Sequence, residues 1–167
     1  MAVTIKSERE IDLMRKSCQI LAKVHDELGK AIEPGMSTLD IDRLGEKLIR
    51  GYGCIPNFLH YNGYPASVCV SVNDEVVHGI PRADRILQEG DIVSLDAGLI
   101  YKGYHSDAAR TYGVGKISHE AQQLIDETRN SFFEGIKKAA DEKGVFVAAQ
   151  CCEHLNRAII VEADKKQ

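Results

Sequence analysis

The segment GDIVSLDAGLIYKGYHSDAARTYGVG, residues 90–115, alternates apolar and small or polar residues on either side of a Tyr-Lys-Gly turn. That period of two specifies an antiparallel hairpin with one face packed. Val93, Leu95, Ala97 and Leu99 fall on one face, and Ile92, Ser94, Asp96, Gly98 and Ile100 on the other. Asp96 and Asp107 therefore sit inside strands, where aspartate competes with the ladder for hydrogen bonds and is costly to desolvate. If Tyr101 and Lys102 form a two-residue loop, the aspartates lie directly opposite each other; if Lys102 and Gly103 form it, they are diagonal neighbours. Both registers keep them on one face, roughly 5 Å apart at Cβ in the first case and ~7–8 Å in the second. Carboxylates that close repel, and one resists ionisation unless a cation stands between them. A divalent ion, or a pair of them, removes the conflict. Two solvated aspartates on an exposed sheet face are the competing explanation.

The chain as a whole narrows the classes. Its 167 residues suit one domain, and the net charge of -4 supplies no basic face for nucleic acid or an anionic membrane. No apolar run approaches the ~20 residues that span a bilayer. The amino terminus, MAVTIKSEREIDLMRKS, is charged and lacks the apolar stretch of a signal peptide, so the cytoplasm is the expected location. The five cysteines are odd in number and lack a C-x-x-C pair, which fits reduced thiols packed as small hydrophobes.

Ser7-Glu8-Arg9-Glu10 has capping-box spacing, and Ile11, Met14, Cys18, Leu21, Val24 and Leu28 follow at helical intervals. A second helix is expected from Ser37 or Thr38 to Gly51, with Leu44 and Leu48 on one face. GYGCIPNFLHYNGYP reads as an irregular loop, SVCVSV and VVHGIP as strands, and the hairpin follows. A third helix from near Ser118 is expected to bury Leu124, Ile125, Thr128, Phe132, Ile136 and Ala139. His25 and His119, on helices, are expected to be exposed. The order α-α-β-β-β-β-α predicts an α+β fold, an antiparallel sheet with helices on one face.

Taken together, NGYPASVCVSVNDEVVHGIP (62–81), the hairpin and the opening IKSEREIDLMRKSCQILAKVHDELGKAIEPGMSTLDID resemble type I methionine aminopeptidase from the amino terminus to about Ala140. That resemblance implies the amino-terminal half of the pita-bread fold. It also implies a metal-dependent peptidase that removes the initiator methionine from nascent proteins, using two divalent ions (Co, Mn, Fe or Zn) to activate water. Carried over position by position, Asp96 corresponds to a ligand of one ion and Asp107 to the aspartate that bridges both. His78 corresponds to the catalytic histidine that contacts the scissile region of the substrate. Phe58, Tyr61, Tyr64 and Cys69 correspond to the lining of the methionine side-chain pocket, an apolar and polarizable cleft suited to a thioether. His60 and His105 match no ligand position and are expected beside the site or on the surface.

The family pattern continues with a histidine and two glutamates as further ligands, which this chain does not reach. Glu153 and His154, in QCCEHLNRA, lack the surroundings of those positions. The chain is accordingly expected to be a truncated aminopeptidase domain, 1–140, inactive alone, followed by a divergent and helical tail, 141–167. That tail resembles a short stretch of an unrelated, uncharacterised bacterial family. The alternative is a non-catalytic half-fold that binds N-terminal peptides or a partner chain, as a homodimer or with a separate carboxy-terminal half.

Overall fold

The computed structural model describes residues 5–143, 145–152 and 156–163. The chain forms two compact units, residues 1–117 and 118–167.

The first unit opens with two helices, α1 (Glu8–Ala31) and α2 (Thr38–Gly51), each started by a reciprocal capping box. Ser7 and Glu10 close the first box, and Ser37 and Asp40 close the second. A two-residue strand, β1 (Ile55–Pro56), precedes β2 (Val68–Val72), β3 (Ile92–Tyr101) and β4 (Tyr104–Gly113). Strand β3 is central. β4 pairs along its whole length on one edge, while β2 and β1 share the other edge, all antiparallel. Helix α1 lies against β3 and β4, and α2 against β2 and β1.

The face chosen by alternation is the face observed. Val93, Leu95, Ala97 and Leu99 are fully buried, and they join Leu21, Val24, Leu28, Ile41, Ile49, Val68, Val70 and Val72 in one core. In α2 the fully packed positions are Ile41, Gly45 and Ile49, with Leu44 and Leu48 half-buried beside them. Gly45 permits that approach, since a Cβ there would stand 2.5 Å from the Val68 side chain.

Helix α1 is also stitched to β4 by polar groups. Ser17 Oγ donates to Tyr104 O and meets Ser106 Oγ, Arg110 pairs with Asp26 at 3.0 Å, and the Tyr112 hydroxyl donates to His25 O at 2.8 Å. His25 itself, expected on the exposed side, is wholly buried. Its Nε2–H donates to Ala108 O at 2.8 Å, and Nδ1 has no partner. The reason for the reversal is tertiary: a β4 carbonyl far along the chain meets one ring nitrogen and offsets part of the cost of desolvating it.

Three other expectations change. VVHGIP is not a strand, because His78 takes a left-handed conformation (φ 57) that interrupts extended backbone. The anticipated helical tail is instead two strands, β5 (Val145–Cys152) and β6 (Asn156–Ala163), paired antiparallel. The apolar runs VFVAA and AIIV are rich in β-branched residues, which favour strands over helix. Glu153 and His154 lie outside the described residues. The second unit begins with α3 (His119–Lys143), on which Leu124 and Phe132 are exposed rather than buried, while Ile125 and Ile136 are half-buried. The break in resemblance expected at 140 falls within α3, so the compact units and the resemblance divide the chain at different places. Among the described residues no helix is long and apolar enough to cross a membrane.

Burial, with the nearby Arg110 cation, lowers the His25 pKa from 6.5 to about 4. A histidine depressed in the folded state stabilises fully above its unfolded pKa, and that contribution is lost as pH falls. Stability should therefore drop by about 3 kcal/mol between pH 6.5 and 4 from this group alone. Chemical denaturation across that window should show this loss in the parent and a flatter limb in His25→Gln; equal slopes would contradict it.

Candidate metal centre

Lys102 and Gly103 form the hairpin loop, both with positive φ (50° and 85°), as a two-residue turn between right-twisted strands requires. Tyr101 consequently faces Tyr104, Gly98 faces Asp107 and Asp96 faces Ala109. The two aspartates are diagonal neighbours on the face away from the helices, which decides between the two registers the sequence allowed. Asp96 is half-buried and Asp107 is exposed.

The electrostatics follow from that placement. Burial first, then the Asp107 carboxylate, raises the Asp96 pKa from 3.8 to about 6, while His78 opposes the rise. Asp96 Oδ1 is buried with no hydrogen-bond partner. A buried carboxylate oxygen without a protein donor is an unfavourable arrangement that a cation would relieve.

The surrounding groups converge on the same face. Cys69 is opposite Asp96 in the β2–β3 ladder and is buried. Burial, followed by the Asp96 and Asp107 charges, pushes its thiol pKa up, against the lowering effect of the Tyr64 hydroxyl. That hydroxyl donates to Gly79 O at 2.9 Å, and burial raises its pKa as well. Gly79 lies flat on β2, its N–H donating to Ser71 Oγ at 3.0 Å and its carbonyl accepting from Val70 N at 2.9 Å. A Cβ at Gly79 would stand 2.2 Å from Val70 O, so only glycine allows this contact. The preceding His78 is exposed, within electrostatic reach of Asp96.

The residues expected to line a methionine pocket are less uniform. Tyr64 and Phe58 are half-buried, whereas Tyr61, in a short 3-10 turn (Tyr61–Gly63), is 67% exposed. Val76, Val77 and Ile80, next to His78 in the chain, are also exposed. His60 is exposed at the left-handed start of that turn. His105 lies on the open face of β4 and bonds Asn57 through Nδ1 at 2.9 Å.

Two features escaped the sequence. Asp42, buried on α2, accepts backbone N–H bonds from Ser67 and Val68 at 2.8 and 2.9 Å and so fixes the entry to β2. Asn57 packs over Gly98. An aspartate in LDIDRL has the look of a solvated helix residue, and nothing local reveals its partners 25 residues away.

An orphaned buried oxygen beside a second carboxylate is a donor set that fits a divalent cation. Among the described residues no group of three histidine, cysteine, aspartate or glutamate side chains completes it. The arrangement offers part of a coordination sphere, from one face.

The model of metallopeptidase family M24 matches residues 12–163, past Ala140. A methionine aminopeptidase of Clostridium acetobutylicum is 50% identical over 137 residues, which is 82% of this chain and 55% of that relative. Methionine aminopeptidase 1 of Bacillus subtilis is 45% identical over the same length and coverage. The crystal structure of methionine aminopeptidase from Rickettsia prowazekii superposes with a TM-score of 0.80 at 31% identity, over 89% of this chain and 57% of that one. The chain thus spans about half the length of the curated relatives it matches.

Because the folded state raises the Asp96 pKa, metal-free protein loses stability as pH rises from 3.8 to about 6, and above that the ionised carboxylate costs its full amount. Asp96→Asn should stabilise chelator-treated protein at pH 7 by about 1–2 kcal/mol, allowing for partial solvent screening. The gain should shrink as pH falls toward 3.8, and Mn²⁺ should raise the melting temperature of the parent only. Melting curves with EDTA and with Mn²⁺ decide this; a variant that gains nothing in EDTA contradicts it.

Proposed function

This chain belongs to metallopeptidase family M24, and on that footing we propose that it carries the amino-terminal part of a methionine aminopeptidase centre. Its fold is the corresponding half of the pita-bread architecture. The observation that carries the proposal is the diagonal pair Asp96 and Asp107, with Asp96 Oδ1 buried and unpartnered at the floor of an open sheet face.

In this proposal Asp96 and Asp107 hold the divalent metal, one of Mn, Fe, Co or Zn. When bound, such an ion supplies Lewis-acid chemistry, polarising an amide carbonyl and acidifying a water molecule. The residues of the chain do the rest. Cys69, Tyr64 and Phe58 receive an unbranched thioether side chain, with Tyr61 closing the exposed rim. The Tyr64 hydroxyl is committed to Gly79 O, which leaves its ring as the apolar wall. His78, held out by Gly79, is placed to donate to the scissile amide of an N-terminal methionine peptide. The proposed substrates are nascent proteins, and the proposed location is the cytoplasm.

The exposed Asp107 on an open face favours completion of the site from outside the described residues. In this proposal the completing group is a segment bearing histidine and glutamate ligands, as the family pattern implies. Alone, the chain should bind Mn²⁺ and a Met-Ala-Ser peptide yet release methionine no faster than Asp96→Ala. Release assays with Mn²⁺ or Co²⁺, beside peptide binding by fluorescence anisotropy, test both halves. Turnover that Asp96→Ala abolishes would show a site complete without help. Peptide binding unaffected by Mn²⁺ and by Asp96→Ala would remove the proposal.

A further inference from the structure

Beside Asp107, the open face of the sheet carries a polar pair, Asn57 and His105, that the ligand and pocket assignments leave unused. Gly98 faces Asp107 across the ladder and has no side chain of its own. Asn57 fills that space: its Cβ and Nδ2 stand 3.0 and 3.1 Å from where a Cβ on residue 98 would be. Cβ atoms of directly opposed residues lie about 4.5–5.5 Å apart. The Asn57 amide, standing where a residue-98 side chain would, is therefore a neighbour of the Asp107 carboxylate.

Asn57 is held from two directions. Its backbone N–H donates to Gly98 O at 2.9 Å, and its side-chain Oδ1 bonds His105 Nδ1 at 2.9 Å. An amide oxygen carries no proton, so His105 Nδ1–H is the donor. The bond sets the orientation of the amide: Oδ1 is taken, and Nδ2, with two N–H groups, donates no hydrogen bond among the described residues. His105 and Asp107 are two residues apart on β4 and share the open face, so the imidazole, the amide and the carboxylate form one surface row.

We propose that Asn57, oriented by His105, is a positioning residue for the cation centre, its Nδ2–H donating to the Asp107 carboxylate when that carboxylate ligates an ion. This rests on the metal assignment above. A carboxylate has about four lone-pair sites, and those turned away from a cation are satisfied by donors. Outer donors of this kind fix ligand orientation, and their loss weakens metal affinity by roughly 10–100-fold. A tie that merely fastened the loop before β2 to the hairpin would act on stability instead.

The test is Mn²⁺ affinity by water-proton relaxation, on the full chain and on Asn57→Ala, His105→Ala and the double variant, with melting temperatures in EDTA. Each single change should weaken Mn²⁺ binding about tenfold, with melting in EDTA unchanged. The double variant should bind no more weakly than either single one, because the two residues act as a unit. Variants that bind like a parent whose own binding requires Asp96 would overturn the role of Asn57 and leave the metal centre standing. Lost affinity that tracks a lowered melting temperature in EDTA would overturn it too, assigning the pair to structure. A parent with no Asp96-dependent Mn²⁺ binding would remove the metal assignment and this role with it.

Discussion

The burial of one face of β3 organises everything else in the first unit. Val93, Leu95, Ala97 and Leu99 are fully enclosed by α1 and α2 and by the apolar faces of the flanking strands. Because side chains alternate with period two, enclosing that set obliges Ser94, Asp96 and Gly98 to the opposite face. A slip of one residue would put Asp96 into the core and four apolar side chains into water. Each fully buried aliphatic side chain is worth about 1.5–3 kcal/mol, so the register is strongly held by packing alone.

On the polar face the balance runs the other way. Asp96 gains no hydrogen bond for its buried oxygen, and its neighbour Asp107 adds repulsion. The sheet retains this arrangement because the core and the β3–β4 ladder outweigh it. Local unfavourable electrostatics held by a rigid scaffold is the usual condition of a ligand site prepared before its ligand arrives.

The scaffold is reinforced where the site needs it. Asp42 ties α2 to the backbone that leads into Cys69, and Gly79 rides on β2, which fixes the chain immediately after His78. The α1–β4 seam, with Ser17, His25, Arg110 and Tyr112, holds the strand that carries Asp107. Gly29 belongs to this seam, since a Cβ there would stand 2.3 Å from the Tyr112 ring. These are long-range contacts between α1 or α2 and strands far along the chain, and they hold the two acids of the hairpin in fixed places.

How much of this the sequence contained depends on the range of the interaction concerned. Caps, alternation and turn residues act within a few positions, so Ser7, Ser37, a turn around Tyr101-Lys102-Gly103 and the two faces of β3 were determined by the sequence itself. So was the presence of two carboxylates on one face, whichever loop closed the hairpin. The tertiary structure alone decided which register held, because Tyr101-Lys102 and Lys102-Gly103 are both workable turns until the pairing of all ten β3 residues selects one. It alone buried His25, whose partner Ala108 O is 83 residues away, and bent VVHGIP off the extended path to satisfy β2. It alone brought Asn57 over Gly98 and gave Asp42 its two amides. Local rules select a conformation for each segment, whereas desolvation of a polar atom is settled by whichever distant group arrives to meet it.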